Sequence, residues 1–140
     1  MIPPPVLDTH VWVWWMLGDP RLKPSEREAL DSLPPDRRPV LCEISLWELG
    51  TLVDLGRVVL EDEIGDWLRV AASPVTVRLQ PVTPEIVAEM NRLPASFHRD
   101  PADRLIVATA RALALPLATK DGLIRRSRLV SLWKGSVKNS

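Results

Sequence analysis

Short apolar stretches alternate with segments of helical periodicity along most of the chain, and this alternation restricts the possible folds strongly. Val6–Leu7, Val40–Cys42 and residues 115–119 are short and apolar, as buried strands are. The intervening segments place apolar residues three and four positions apart, which is typical of helices with one buried face. Strands separated by helices form parallel sheets covered on both faces. The sequence therefore predicts an α/β fold with a mainly parallel central sheet.

Proline and glycine positions give the approximate boundaries of these elements. Residues 3–5 are all proline and lack the amide donors that a strand needs, so the first strand is expected to begin near Val6. Further strands are predicted at residues 75–79 and 129–133. Trp12, Trp15 and Trp47 are expected in the core. Helices are predicted at residues 11–16, 24–33, 46–55, 62–72, 83–93, 100–113 and 123–124.

The length of 140 residues fits one domain, residues 1–140, with a polar tail at residues 134–140. The chain has no apolar run of membrane-spanning length and its first residues do not resemble a signal peptide, so we expect a cytoplasmic protein without membrane contact. Cys42 is the only cysteine, which excludes an intrachain disulfide. Two histidines with one cysteine do not suit a structural zinc site, so any bound metal needs oxygen ligands.

The charge is distributed unevenly although the formal net charge is zero. Residues 1–96 carry nine Lys and Arg against fifteen Asp and Glu, whereas residues 97–140 carry nine Lys and Arg against three Asp. A basic C-terminal segment interrupted only by candidate metal ligands suits phosphate binding beside a metal. A solvated basic face that balances the acidic part of the chain explains the same distribution.

Four carboxylates occupy equivalent places in the predicted elements. Asp8 and Asp121 follow strands, while Glu48 and Asp103 lie in the first turns of helices. Ligands of open parallel sheets bind beyond the carboxyl ends of the strands, where the strand order reverses. The four acids are therefore expected to face one crevice, although they are far apart in sequence.

Each of these helix starts also has a purely structural interpretation. Asp100 before Pro101 fits an N-cap, and Asp103 then only meets the positive end of the helix. Ser45 and Glu48 fit a capping box, in which each side chain bonds the backbone amide of the other. Considered alone, the capping box is the preferred interpretation of Glu48.

Clustered carboxylates repel one another, so four in one crevice need a cation or retained protons. Mg²⁺ or Mn²⁺ prefers oxygen ligands and keeps sites for water and substrate phosphate. Such an ion assists phosphodiester hydrolysis by activating water and stabilising the leaving oxygen. No other nucleophile is evident, because Ser45 lacks a triad context and Cys42 lies in an apolar strand. His10 and His98 are expected at the surface or behind the site acids.

Four short motifs contain the candidate acids, namely Leu-Asp-Thr-His at residues 7–10, Ile-Ser-Leu-Trp-Glu at 44–48, His-Arg-Asp-Pro-Ala-Asp-Arg at 98–104 and Ala-Thr-Lys-Asp at 118–121. In order and spacing they resemble the motifs of PIN-domain proteins, specifically VapC-like toxins. The resemblance implies a three-layer α/β/α domain with magnesium- or manganese-dependent endoribonuclease activity. It further implies the toxin of a toxin-antitoxin pair, which forms homodimers and is blocked by its antitoxin.

The resemblance assigns roles to individual positions. Asp8 and Asp103 match the principal metal-binding acids, and Glu48 and Asp121 match the other acids of the site. Thr9, Ser45 and Thr119 match small hydroxyl residues that support the acids or water. Arg104 matches a residue that contacts phosphate or pairs with Asp100. The resulting hypothesis is that the four acids bind the ion and activate water, and that RNA is held by basic residues, namely Arg104, Lys120, Arg125 and Arg126.

Two other functions fit the same residues. One is a PIN-like binding module without turnover that acts through a partner protein; the presence of all four acids argues against it. The other is a phosphatase with Asp8 as nucleophile. Such enzymes usually carry a second acid two residues later, where this chain has His10. Both remain open at the level of sequence.

Overall fold

The computed structural model describes residues 3–135, which form a four-stranded sheet flanked by helices. All strands are parallel and their spatial order is β3-β2-β1-β4. The sheet order reverses at β1, because the chain moves from β1 to β2 and β3 on one side and later adds β4 on the other. The strands are β1 (Val6–Leu7), β2 (Val40–Cys42), β3 (Arg78–Gln80) and β4 (Leu117–Ala118).

Seven α-helices connect or follow these strands in the described part of the chain. A single 3₁₀ turn at Pro35–Arg37 precedes β2. The helices are α1 (Thr9–Leu17), α2 (Pro24–Asp31), α3 (Ile44–Asp54), α4 (Ile64–Ala71), α5 (Pro84–Asn91), α6 (Pro101–Leu113) and α7 (Gly122–Ser127).

The two faces of the sheet support two separate apolar clusters. Alternate strand residues point to opposite faces, so neighbours such as Val6 and Leu7 enter different clusters. The cluster containing Leu7 and Leu41 includes side chains of α1 to α4, among them the fully buried Trp12. The cluster containing Val6 includes side chains of α5, α6 and α7. The expected α/β fold with a parallel sheet between helices is confirmed.

The proline segment limits β1 as predicted. Pro5 cannot donate, but its carbonyl accepts a hydrogen bond of 2.9 Å from the Val40 amide. The Val6 amide is the first donor of the strand and bonds the Pro116 carbonyl at 2.8 Å. The central strand is therefore ordered from Val6 onward, with a neighbour on each side.

Two predicted strands differ from the structure. The strand expected at residues 75–79 begins at Arg78 instead, because the amides of Thr76 and Val77 bond the Ser73 carbonyl in a turn and leave Val75 83% exposed. The strand expected at residues 129–133 is reduced to one parallel bridge between Leu132 and Leu117. Of the predicted polar tail, residues 136–140 lie outside the described residues.

The tryptophans also differ from expectation in one case. Trp12 and Trp15 are buried as predicted, whereas Trp47 is 63% exposed on α3. Trp47 precedes Glu48, and the two side chains leave the helix in different directions because successive residues are about 100° apart.

Within residues 3–135, no helix combines the length and apolar character needed to cross a bilayer.

We predict that Trp12→Ala destabilises the protein far more than Trp47→Ala. The Trp12 indole donates to the Ala71 carbonyl at 2.9 Å and packs edge-on against Trp67 at 5.5 Å. Its removal is expected to lower the free energy of unfolding by about 3–5 kcal/mol, whereas Trp47→Ala should change it by less than about 0.5 kcal/mol. Urea denaturation measures both, and equal losses would contradict this packing.

Candidate metal centre

The candidate centre lies where the strand order reverses. Asp8 follows β1 and Asp121 follows β4, and these two strands are paired in the sheet. Asp103 lies in the first turn of α6, whereas Glu48 lies in the second turn of α3 and not in the first, where the sequence placed it. One carboxylate oxygen of Glu48 lies within 4.8 Å of one of Asp103. The structure therefore brings these two of the four predicted acids together.

Asp8 is almost completely buried and is held by hydrogen bonds to both carboxylate oxygens. Oδ1 accepts from the Thr9 amide at 2.8 Å, and Oδ2 accepts from the Thr119 hydroxyl at 2.6 Å. The Thr119 oxygen itself accepts from the Asp121 amide at 3.0 Å. Thr119 thus joins the acid after β1 to the backbone of the acid after β4.

A second pair of hydroxyls joins α1 to α3. The buried side chains of Thr9 and Ser45 share a hydrogen bond of 2.7 Å. Ser45 lies inside α3, whose capping position is Glu43, and the carboxylate of Glu43 accepts from the Val82 amide instead. The capping-box interpretation of Ser45 and Glu48 is therefore wrong, and Glu48 is not occupied in capping α3.

Glu48 carries an unpaired acceptor inside the protein. Its Oε1 atom is buried and forms no hydrogen bond with any residue in the range 3–135. Burial raises the pKa of Glu48, the charges of Asp8 and Asp100 raise it further, and the nearby Thr9 hydroxyl lowers it. A buried carboxylate oxygen without a partner is costly unless a proton or a cation reaches it.

Glu48, Asp100 and Asp103 form a compact group of ligand atoms. One carboxylate oxygen from each lies within 4.8 Å of the others. Asp100 caps α6 as predicted, since it accepts from the Asp103 amide at 3.2 Å. Its place in the acidic group was missed from the sequence, because capping already explained it. The available signal was its spacing of three residues from Asp103, which brings both acids to the same helix start.

Asp103 is the most perturbed acid of the centre. Burial, followed by the charges of Asp8, Asp100, Asp121 and Glu48, raises its pKa to about 8. The charges of the other three predicted acids therefore all raise the pKa of Asp103. Asp8 and Asp121 lie outside the 4.8 Å group, and Asp121 also caps α7 by accepting from the Ile124 amide at 3.0 Å.

Both histidines stand directly behind site acids, as expected. His10 Nε2 accepts from the Lys120 amide at 2.9 Å, and its Nδ1 lies 3.6 Å from Asp8 Oδ2. His98 Nε2 lies 3.4 Å from Asp103 Oδ2. They link the acids to the loops after β4 and before α6.

The four basic residues assigned to RNA binding make contacts within the protein. The Lys120 ammonium pairs with Glu26 at 2.6 Å. Arg104 donates to the carbonyls of Phe97 and His98, each at 3.2 Å, rather than pairing with Asp100. Two more arginines lie on α7. Arg125 donates to the Thr119 carbonyl at 3.0 Å, and the Arg126 guanidinium lies against Gly122.

The donor set fits a hard divalent cation. Every candidate ligand is a carboxylate oxygen, which suits Mg²⁺ or Mn²⁺ and not a soft metal. The unpaired Glu48 oxygen and the raised pKa of Asp103 both indicate a pocket with more negative potential than its own partners neutralise. A bound cation is the group that removes both costs.

We predict that Asp103→Asn stabilises the metal-free protein above neutral pH. The folded-state pKa of about 8 lies above the ordinary value of 3.8, so the folded state binds more protons between these pH values. Stability should therefore fall as pH rises through this window, by about 1–3 kcal/mol after allowance for solvent screening. Urea denaturation in EDTA should show this slope in the parent and a flatter profile in the variant. Parallel profiles would contradict the assignment.

Sequence comparison gives two matches over most of the chain. A family model described as PIN domain matches residues 6–128. Ribonuclease VapC22 of Mycobacterium tuberculosis (strain ATCC 25618 / H37Rv) is 35% identical over 131 residues, which cover 91% of this chain and 97% of that protein. The range matched by the family model includes the positions of all four predicted acids.

Solved structures share the fold. The crystal structure of VapBC2 from Rickettsia felis bound to a DNA fragment from their promoter superposes with a TM-score of 0.67 at 17% identity, covering 95% of this chain and 98% of the other. A toxin-antitoxin complex from Klebsiella pneumoniae gives a TM-score of 0.58 at 17% identity and 96% coverage of both chains. The motifs, the fold and the matching family model lead to one conclusion: this chain belongs to the PIN domain family, in its VapC-like branch.

Proposed function

We propose that the protein is a magnesium- or manganese-dependent endoribonuclease and the toxin of a toxin-antitoxin pair. The observation that carries the proposal is the buried, unpaired Glu48 oxygen beside the carboxylates of Asp100 and Asp103. The 35% identity to a ribonuclease supports RNA as the substrate.

Glu48 and Asp103, with Asp8 and Asp121 behind them, are the residues that would hold the ion, and Asp100 joins them. When bound, a divalent ion polarises the phosphodiester, lowers the pKa of water and stabilises the leaving oxygen. Asp103 would release its proton to hold the ion, because burial and neighbouring charges raise the pKa of its carboxyl group to about 8.

The supporting hydroxyls keep this arrangement rigid. Thr119 fixes one oxygen of Asp8, and the Thr9 and Ser45 pair fixes the start of α3 relative to α1. Residues locked by buried hydrogen bonds hold ligands near their productive geometry without reorganisation. Thr9, Ser45 and Thr119 therefore act as positioning residues.

Basic residues around the centre divide into two groups by exposure, since Arg125 and Arg126 are exposed whereas Lys120 and Arg104 are half-buried. Arg125 and Arg126 are exposed on α7, next to Asp121, and are suited to RNA phosphates. Lys120 reaches phosphate only by leaving its ion pair with Glu26. Arg104 donates to two carbonyls of the loop that carries His98, so its main role is to stabilise that loop.

The phosphatase alternative is disfavoured by the surroundings of Asp8. Both of its oxygens accept short hydrogen bonds and the side chain is buried, so neither oxygen is free to attack phosphorus. A nucleophilic carboxylate needs access to the reacting atom.

The partners follow from the same family relationship. The VapBC2 structure and the Klebsiella toxin-antitoxin complex support a cognate antitoxin as the partner of this chain. We propose that the antitoxin blocks the acidic centre and that the protein acts as a homodimer. We further propose that the protein acts on RNA in the cytoplasm.

We predict that Asp103→Asn lowers Mg²⁺- or Mn²⁺-dependent cleavage of single-stranded RNA by at least ~100-fold, which corresponds to the loss of several kcal/mol of transition-state stabilisation. The matched control is Asp62→Asn, which makes the same chemical change at an exposed position before α4. Cleavage assays with and without EDTA measure both. Full activity of Asp103→Asn, or activity in excess chelator, would refute the proposal, and a parent that never cleaves RNA would favour the binding-module alternative.

A further inference from the structure

A separate pocket of about 270 Å³ opens between the loop at residues 94–98 and α7. The residues that line it include Phe97, which is almost completely buried, His98, Leu123 and Arg126. Ser96 lies at its rim and is exposed. None of these residues belongs to the acidic group described above.

Two connections place the pocket beside the acidic centre. His98 lines the pocket, while its Nε2 atom lies 3.4 Å from Asp103 Oδ2. That nitrogen is buried and makes no hydrogen bond within the described chain. On the other wall, α7 is capped by Asp121, and Leu123 follows two residues later. A ligand in the pocket would therefore lie beside His98, which contacts Asp103, and beside Leu123, which follows Asp121.

The lining combines three properties that nucleobases require. The partly exposed ring of His98 supplies an aromatic face, and the buried ring of Phe97 supports it at a centroid distance of 4.5 Å. Leu123 adds an apolar side chain that is 53% exposed. Arg126 brings a guanidinium that is held against Gly122 at the start of α7. Unpaired bases are recognised by stacking on aromatic rings and guanidinium planes, with polar groups at the base edges.

We propose that this pocket binds an unpaired nucleobase of the RNA, next to the phosphate that is cleaved. The inference rests on the proposed ribonuclease function and extends it to a substrate subsite. The volume of about 270 Å³ holds one base and not a folded helix of RNA. The protein therefore selects a single-stranded segment and has a base preference at one position beside the scissile bond.

Charge favours RNA over a protein side chain as the occupant. Arg125 and Arg126 on α7 and Arg128 just after it are all exposed. These arginines would attract the backbone phosphates of an RNA strand that passes beside the pocket, while the acidic centre is suited to a cation and a phosphate.

The test combines a change in the pocket with a change in the RNA. The variant Ser96→Trp fills the pocket from its exposed rim, and Val75→Trp adds the same side chain at an exposed position before β3. The substrates are a short single-stranded RNA with a mapped cleavage position and two copies with an abasic residue on either side of that position. Cleavage rates with Mn²⁺ give kcat/KM, and thermal melting confirms that both variants fold.

In the parent and in Val75→Trp, one of the two abasic RNAs should lose about tenfold in kcat/KM, the size expected for one stacked base. In Ser96→Trp, kcat/KM for the intact RNA should fall to the value that the parent shows for the abasic RNA. The abasic residue should then cause no further loss in this variant. An equal abasic penalty in parent and Ser96→Trp, or no penalty in the parent, would refute the subsite while leaving the nuclease intact.

Two further outcomes separate the remaining possibilities. If Ser96→Trp leaves RNA cleavage unchanged but weakens binding of the purified cognate antitoxin, the pocket receives a protein side chain and the nucleobase proposal is wrong. If the parent cleaves none of the RNAs with Mg²⁺ or Mn²⁺, the proposed function itself fails and the subsite fails with it.

Discussion

The burial of several carboxylates close to one another is the physical constraint on which the candidate metal centre depends. Burial, together with the charges of four neighbouring carboxylates at the carboxyl end of the sheet, raises the pKa of Asp103 to about 8. Glu48 adds a buried oxygen without a hydrogen bond. Such a cluster lowers the stability of the empty protein, because each charge opposes the ionisation of its neighbours. A divalent cation would attract all of these carboxylates and offset their mutual repulsion. The clustered negative charge therefore explains both the cost in stability and the affinity for a cation.

The fold keeps the acids together despite their repulsion by fixing the backbone around them. Asp8 lies between two parallel neighbours at the point where the strand order reverses, and the Thr119 hydroxyl ties it to the strand beside it. The buried pair of Thr9 and Ser45 ties α1 to α3 in the same way. Short central strands are sufficient, because the apolar clusters on both faces bury them completely. The helices therefore cannot separate to relieve the electrostatic repulsion without exposing a core.

Local sequence patterns predicted the parallel sheet, most helices and the proximity of Glu48 to Asp103, because strand ends and helix starts are encoded by nearby residues. Features that depend on packing between distant segments were not predictable in this way. Asp100 was interpreted only as a cap, since that role satisfies it locally, and the capping box at Glu48 was wrong because the Thr9 hydroxyl engages Ser45 instead. The contact of Lys120 with Glu26 requires α2 to lie beside the loop after β4, which no local pattern specifies.

The most direct measurement is the anomalous diffraction of a crystal grown with Mn²⁺, collected at the manganese absorption edge. The account predicts one strong peak within coordination distance of carboxylate oxygens of Glu48 and Asp103, with Asp100 or Asp8 completing the protein ligands. A crystal of the Asp103→Asn variant, grown and measured in the same way, should show a weakened manganese peak or none. A fully occupied manganese ion at another acidic surface, with the Glu48 and Asp103 pocket holding only water, would contradict the assignment of this cluster as a metal centre.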